Sequence, residues 1–287
     1  MSPSPSEPTT SPTREPHPAP GQLHSTARSF GAEATRYDRV RPRYPDALVH
    51  RIVSTAPGPD LLDVGTGTGI VARQFGAAGC RVLGVEVDAR MADLARLSGV
   101  GTEVASFEEW EPAGRAFDAV VSAQAWHWVD PVAGAAKAAE VLRPGGRLAL
   151  FWNVFQPPPE VTEAFIEVHD RVLPDSPNLW TKPALDTYAP LFAEAVDGIR
   201  QAGGAFGETE EWRYEWQHSY TRDEWLDLLP THGRTSGLPP ARLTELLTAT
   251  GAAIDALGGE FTVRYTTVAI TASRTTAAAS HPRSARP

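Results

Sequence analysis

Leu61-Leu62-Asp63-Val64-Gly65-Thr66-Gly67-Thr68-Gly69 is the stretch from which the rest of the chain is read. Its apolar start reads as a short strand, and helical spacing resumes from Ile70 to Phe75 directly after the glycines. Glycines at alternate positions let the backbone turn sharply and approach a ligand with no side chain between. The turn opens onto a helix N-terminus, whose free N–H groups favour an anion. Strand, glycine-rich turn and helix in succession open a nucleotide-type βαβ unit.

The alternation extends outward from there. Upstream, Ala47 to Val53 has helical spacing and stops before Pro57-Gly58-Pro59. Downstream, Arg81 to Val87 reads as strand two, and Asp88 can cap a helix through Met91, Leu94 and Leu97. A weak third strand lies near Thr102–Ala105 and a fourth at Phe117–Ser122. Asp130-Pro131 starts a helix that ends before Pro144-Gly145-Gly146, and Arg147–Trp152 is strand five. Continuous apolar runs predict strands covered on both faces, hence a mostly parallel sheet. Pro157-Pro158-Pro159 then stops the alternation. Residues 160–200 read as one or two amphipathic helices, a lid insertion over about 157–205. Two late β-rich segments, Trp212–Tyr220 and Glu260–Ala272, flank a helical stretch Ala241–Leu257.

Composition narrows the function classes. With 41% hydrophobic and 21% charged residues, the chain has ordinary globular composition. Residues 1–24 hold seven of the 26 prolines, and residues 275–287 hold no large apolar residue. Both read as tails with too little to bury, leaving one domain over 25–274. A net charge of −9 counts against nucleic acid as partner. No apolar run is long enough to span a membrane, and Met1–Pro20 has neither a basic start nor an apolar stretch, so a cytoplasmic protein without a membrane partner is expected. A single cysteine, Cys80, and scattered histidines predict no metal site.

Glu86 lies seventeen residues past Gly69, where strand two should end, and a carboxylate there can accept both hydroxyls of a ribose. An adenosine-containing cofactor follows. Gly67 to Ala72 also fits the G-x-G-x-x-A pattern, which keeps an NAD oxidoreductase in play. Asp63 discriminates, because it is well placed for the cationic amine of a methionine moiety, which NAD lacks.

Together, Leu61–Gly69, Glu86, Phe117–Ser122 and Leu142–Leu148 resemble the class I S-adenosylmethionine-dependent methyltransferases. The segments Arg41-Pro42-Arg43-Tyr44-Pro45 and Ser122–Trp128 are similar to the small-molecule subgroup that includes trans-aconitate methyltransferase. The resemblance implies a Rossmann-like, doubly wound α/β fold: a mostly parallel seven-stranded sheet with a helical lid and a late antiparallel strand. It implies S-adenosyl-L-methionine as cofactor. Asp63 would orient the amine, and Gly65, Thr66, Gly67 and Gly69 would bring backbone to the methionine part. Glu86 and Val87 would meet the ribose. Ser106 and Phe107 would flank the adenine, Ser106 standing where many relatives carry an acidic residue. Tyr37 would close over the cofactor.

His127 follows strand four at the ligand-binding edge of such sheets, and is a candidate base or acceptor contact. Arg41 is placed to grip a carboxylate bidentately. Tyr44, Trp126 and Trp128 are candidates for lining the acceptor site. The expected activity is methyl transfer to a small-molecule acceptor, at a carboxylate or hydroxyl oxygen, by a monomer or homodimer. The alternative is a non-catalytic cofactor-binding or assembly protein on the same fold.

Overall fold

The computed structural model describes residues 31, 33–233 and 235–276. The first tail, Phe30 and residues 277–287 lie outside the described residues. Thr275, assigned to the second tail, donates its backbone N–H to the Ala205 carbonyl at 2.9 Å.

Seven strands form one sheet: β1 Asp60–Val64, β2 Arg81–Glu86, β3 Gly101–Val104, β4 Phe117–Ala123, β5 Leu142–Gln156, β6 Glu210–Thr221 and β7 Glu260–Ser273, in spatial order 3-2-1-4-5-7-6. Neighbours among β1 to β5 run parallel. β7 is antiparallel to both β5 and β6, so it alone reverses the sheet. The strand order turns between β1 and β4, and ligands of such sheets bind beyond the carboxyl ends at that point.

Nine α-helices lie among the described residues: α1 Ala34–Val40, α2 Asp46–Thr55, α3 Ile70–Ala77, α4 Ala89–Leu97, α5 Pro131–Val141, α6 Pro159–Val172, α7 Ala184–Gln201, α8 Arg222–Leu228 and α9 Pro240–Ala256. Side chains alternate across the sheet. Leu61 joins Leu48, Ile52 and Phe75 of α2 and α3 on one face, while Leu62 and Val64 join Ala135, Ala138 and Ala195 of α5 and α7 on the other. Two helix starts read from sequence carry the caps that were expected. The Asp88 carboxylate accepts from the Arg90 N–H, and the Asp130 carboxylate accepts from Val132 and Ala133 with Pro131 in the first turn. Each such cap is worth ~1 kcal/mol.

The structure departs from the sequence reading in three places. β5 begins at Leu142 and runs fifteen residues, because a register shift lets the strand pass Pro144-Gly145-Gly146. α1 and α8 had no sequence forecast. The cover over the sheet is also differently divided. α7 packs beside α5 in the sheet's own helical layer and offers the cavity only its first turns. The cover instead comprises 157–183 together with residues from α8 through α9.

Candidate functional site

β1 ends in the glycine turn because Gly65, Gly67 and Gly69 hold φ of +69°, +56° and +87°, the left-handed region that glycine alone enters freely. A Cβ on Gly65 would meet the Ala125 Cβ at 2.4 Å, so the turn lies against the loop after β4. The Glu86 carboxylate pins the turn from β2: it accepts from the Gly67 N–H at 2.8 Å and from the Asp88 N–H at 2.9 Å. Burial pushes its carboxyl above the usual range, against those bonds.

Asp63 is buried at the end of β1. Its Oδ2 accepts from the Thr66 hydroxyl at 2.7 Å, while Oδ1 is buried without a hydrogen-bond partner. Burial, with the negative charge of Glu86 as a lesser contributor, pushes its carboxyl up to about 7 against the pull of the Thr66 bond. The buried Thr68 hydroxyl is unpartnered too. Orphaned polar atoms around a glycine turn are a built recess for a polar, charged group.

Two adjoining cavities meet here. The larger, about 1090 Å³, is lined by Tyr37, Arg41, Gly65, Gly67, Glu86 and Val87, and also by Ser106, Phe107, His127 and Trp128. The smaller, about 50 Å³, is lined by Tyr37, Arg41, Tyr44, Asp63, Thr66 and Thr68. Three sequence assignments need correction. Trp126 lines neither cavity; it is 2% exposed and packs in the core with its ring 6.2 Å from Phe107, leaving no face for an acceptor. Gly69 lines neither, and its role is to start α3 with a left-handed φ. Tyr44 faces the small recess rather than the acceptor space: its ring stands edge-on to Phe151 at 4.8 Å, and Gln74 bonds both its N–H and its carbonyl.

His127 lies in a short 3₁₀ turn, Trp126–Trp128. Its Nδ1 accepts from the Trp152 indole N–H at 3.4 Å, which leaves the proton on Nε2. Burial pushes the imidazole down to about 4, so it is neutral at physiological pH.

Arg41 lies just past α1 and lines both cavities. Its Nη2 donates to the Thr231 carbonyl, and its guanidinium lies 4.8 Å from the centre of the Tyr37 ring. Nε is buried without a partner, and no carboxylate among the described residues pairs with the group. Burial first, and the Arg41 charge second, hold the nearby His232 well below its ordinary value.

Sequence reasoning passed over Gln124, Tyr188 and His232. Gln124 holds a φ of +53°, lines both cavities, and donates from Nε2 to the Asn153 carbonyl at 3.2 Å. Positive φ at a non-glycine residue marks strained functional loops but leaves little trace in sequence. Tyr188 comes from the first turns of α7 and His232 from the cover, and no motif pointed to either.

A parallel sheet with one reversed strand, carrying a glycine turn pinned by the β2 carboxylate, is a Rossmann-like methyltransferase fold. Residues 62–150 match the family model described as a methyltransferase domain. The chain is 39% identical over 127 residues to an uncharacterized methyltransferase of Mycobacterium bovis, covering 44% of this chain and 52% of the relative. It is 27% identical over 204 residues to a malonyl-[acyl-carrier protein] O-methyltransferase of Enterobacter lignolyticus, covering 64% and 80%. A solved candidate type II methyltransferase from Anaeromyxobacter dehalogenans superposes with a TM-score of 0.58 at 26% identity, covering 81% of this chain and 97% of that one. The chain spans about half the length of the mycobacterial relatives it matches. The match to a methyltransferase domain counts against the nicotinamide alternative.

No helix among the described residues is long and apolar enough to cross a membrane.

Proposed function

We propose that this protein transfers a methyl group from S-adenosylmethionine to a carboxylate oxygen of a small-molecule acceptor. Arg41 carries the reading. Its guanidinium is half-buried in the cavity wall, with Nε unpartnered and no carboxylate in ion-pair contact among the described residues, so a bound carboxylate can take it through charge-assisted hydrogen bonds. The resemblance of 41–45 and 122–128 to the subgroup that includes trans-aconitate methyltransferase supports the same acceptor group. So does the O-methyltransferase among the relatives.

The residues present fit the cofactor. Asp63 Oδ1 would accept from its ammonium, the Gly65–Gly67 backbone would lie against its methionine part, and Glu86 would meet the ribose hydroxyls. Val87, Ser106 and Phe107 would flank the base. When bound, it supplies a methyl group already activated on a positively charged sulfur. The protein's remaining task is to hold an acceptor oxygen in line in a dry space.

A carboxylate has no proton to lose and needs no base. His127, neutral and with its Nδ1 engaged, suits a donor at Nε2 and a wall that excludes water. A hydroxyl acceptor would require a base near neutral pH, which an imidazole titrating at about 4 serves poorly. Calorimetry on protein saturated with S-adenosylhomocysteine tests the reading against a non-catalytic binding role and against other acceptor groups. Carboxylic acids should bind at least about tenfold more tightly than their primary amides, and Arg41→Met should erase the difference. Equal affinity of acids and amides for the unaltered protein would contradict it.

A further inference from the structure

The geometry points to a second subsite in the large cavity, one that takes a hydrocarbon tail of the acceptor. The inference rests on the carboxylate reading for the head group; the tail subsite stands on its own walls. Beyond Arg41 the cavity continues between α6, α8 and α9. Phe165 and Val168 of α6, Trp225 of α8, Leu229, Leu238, and Leu246 of α9 line it. All but Leu238 are buried by at least nine-tenths, and they belong to two apolar clusters separate from the core under the sheet.

Some polar groups along this arm are engaged, while the buried Trp225 indole nitrogen and His169 Nδ1 have no hydrogen-bond partner. The His232 ring lies face to face on Phe155, 5.3 Å away and 11° from parallel, and burial keeps it neutral. The Thr235 hydroxyl donates to backbone carbonyls of Leu229 and His232. His169 and Thr250 add two polar points to the wall. The cations lining the cavity among the described residues are Arg41 and, on the exposed rim, Lys182. A second carboxylate deep in the arm would face Val168, Leu229 and Leu246 uncompensated. The tail subsite therefore selects against polycarboxylates.

Arg41 stands at the junction. On one side it lines the recess shared with Asp63 and Gly67, and on the other it bonds the Thr231 carbonyl, next to His232 at the start of the arm. A carboxylate held there has one side toward the cofactor and the remainder of its molecule toward the apolar walls. A volume of about 1090 Å³ exceeds the ~300–1,000 Å³ usual for one small molecule, so cofactor and tail fit together. The acceptor class is thus an amphipathic monocarboxylic acid with an aliphatic or arylalkyl tail.

The test is calorimetric titration of S-adenosylhomocysteine-saturated protein with linear acids from butanoate to decanoate, alongside the matching primary alcohols. Each buried methylene should raise acid affinity about fourfold, or roughly 200-fold from hexanoate to decanoate. Leu238→Trp, a half-buried position on the arm, should remove that gain while leaving butanoate binding unchanged. A second variant, Leu246→Phe, checked by thermal melting, should do the same. Alcohols that rise as steeply as acids and bind as tightly support the tail subsite while overturning the carboxylate head. Acids that outbind alcohols with no dependence on length, or a length dependence that survives both variants, would overturn the tail subsite.

Discussion

Asp63 sets the pH behaviour of the cofactor recess. Its carboxyl sits at about 7 in the folded protein, against ~3.9 in an unfolded chain. A group raised on folding favours the folded state below its unfolded pKa, and that contribution is lost as pH rises through the folded value. In the cofactor-free protein this loss occupies the window from about pH 4 to 7. Asp63→Asn should therefore raise the melting temperature at pH 8 and leave it nearly unchanged at pH 4, a pattern opposite to that of a carboxylate held by an ion pair. An ammonium beside Asp63 favours the ionised form. S-adenosylhomocysteine affinity should accordingly rise about tenfold from pH 6 to pH 8 in the unaltered protein and stay flat in Asp63→Asn. A flat profile in the unaltered protein would dissociate Asp63 from the amine. For His127, already neutral across that window, His127→Phe should raise the acceptor KM while changing kcat by less than about threefold. A drop of about 100-fold in kcat would restore it as a base. Asp63, Glu86 and Arg41 were legible because charge at a strand end or in a motif has few uses. Gln124 was not, since its φ of +53° is a property of the loop after β4.

At the scale of elements, the glycine turn and the α1 cover carry distinct expectations. Gly67→Val places a β-branched residue at φ +56°, where the backbone strain is ~1–3 kcal/mol, so the variant should melt earlier as well as lose cofactor binding. Calorimetry and a thermal melt on the same sample check both. α1 is tied down by ion pairs from Arg73 to Asp38 at 2.6 Å and from Arg36 and Arg39 to Asp227 of α8. Pairs this exposed hold weakly. Amide exchange across residues 34–40 should slow when S-adenosylhomocysteine binds; unchanged exchange would mean α1 takes no part in closing over the cofactor. The βα alternation through β5 was readable because parallel strands covered on both faces are continuous apolar runs. α1 escaped notice because it buries no residue fully. α8 escaped because seven residues give too little periodicity, although its capping box, Thr221 with Glu224, was visible in hindsight.

For the whole molecule, the decisive construction is the extension of three strands beyond the parallel sheet. β5 pairs with β7 from Arg147 to Gln156, and β6 pairs with β7 over its full length, from Glu210 to Thr221. These ladders carry α6, α8 and α9 out over the carboxyl edge, where they wall the cavity. That division was not legible in the sequence, because which of two amphipathic helices flanks the sheet and which roofs the site depends on distant partners. α7 joined the sheet layer through contacts to α5, a tertiary choice that periodicity does not encode. The proposed reaction is esterification of a carboxylate in this cavity. It is tested most directly by incubating the full chain with methyl-labelled S-adenosylmethionine and decanoate, then treating the product with mild base. Label should appear in a neutral ester that base releases as methanol, with little label when Arg41→Met replaces the unaltered protein. Label in a base-stable product, or an Arg41→Met variant that methylates as fast as the unaltered protein, would contradict it.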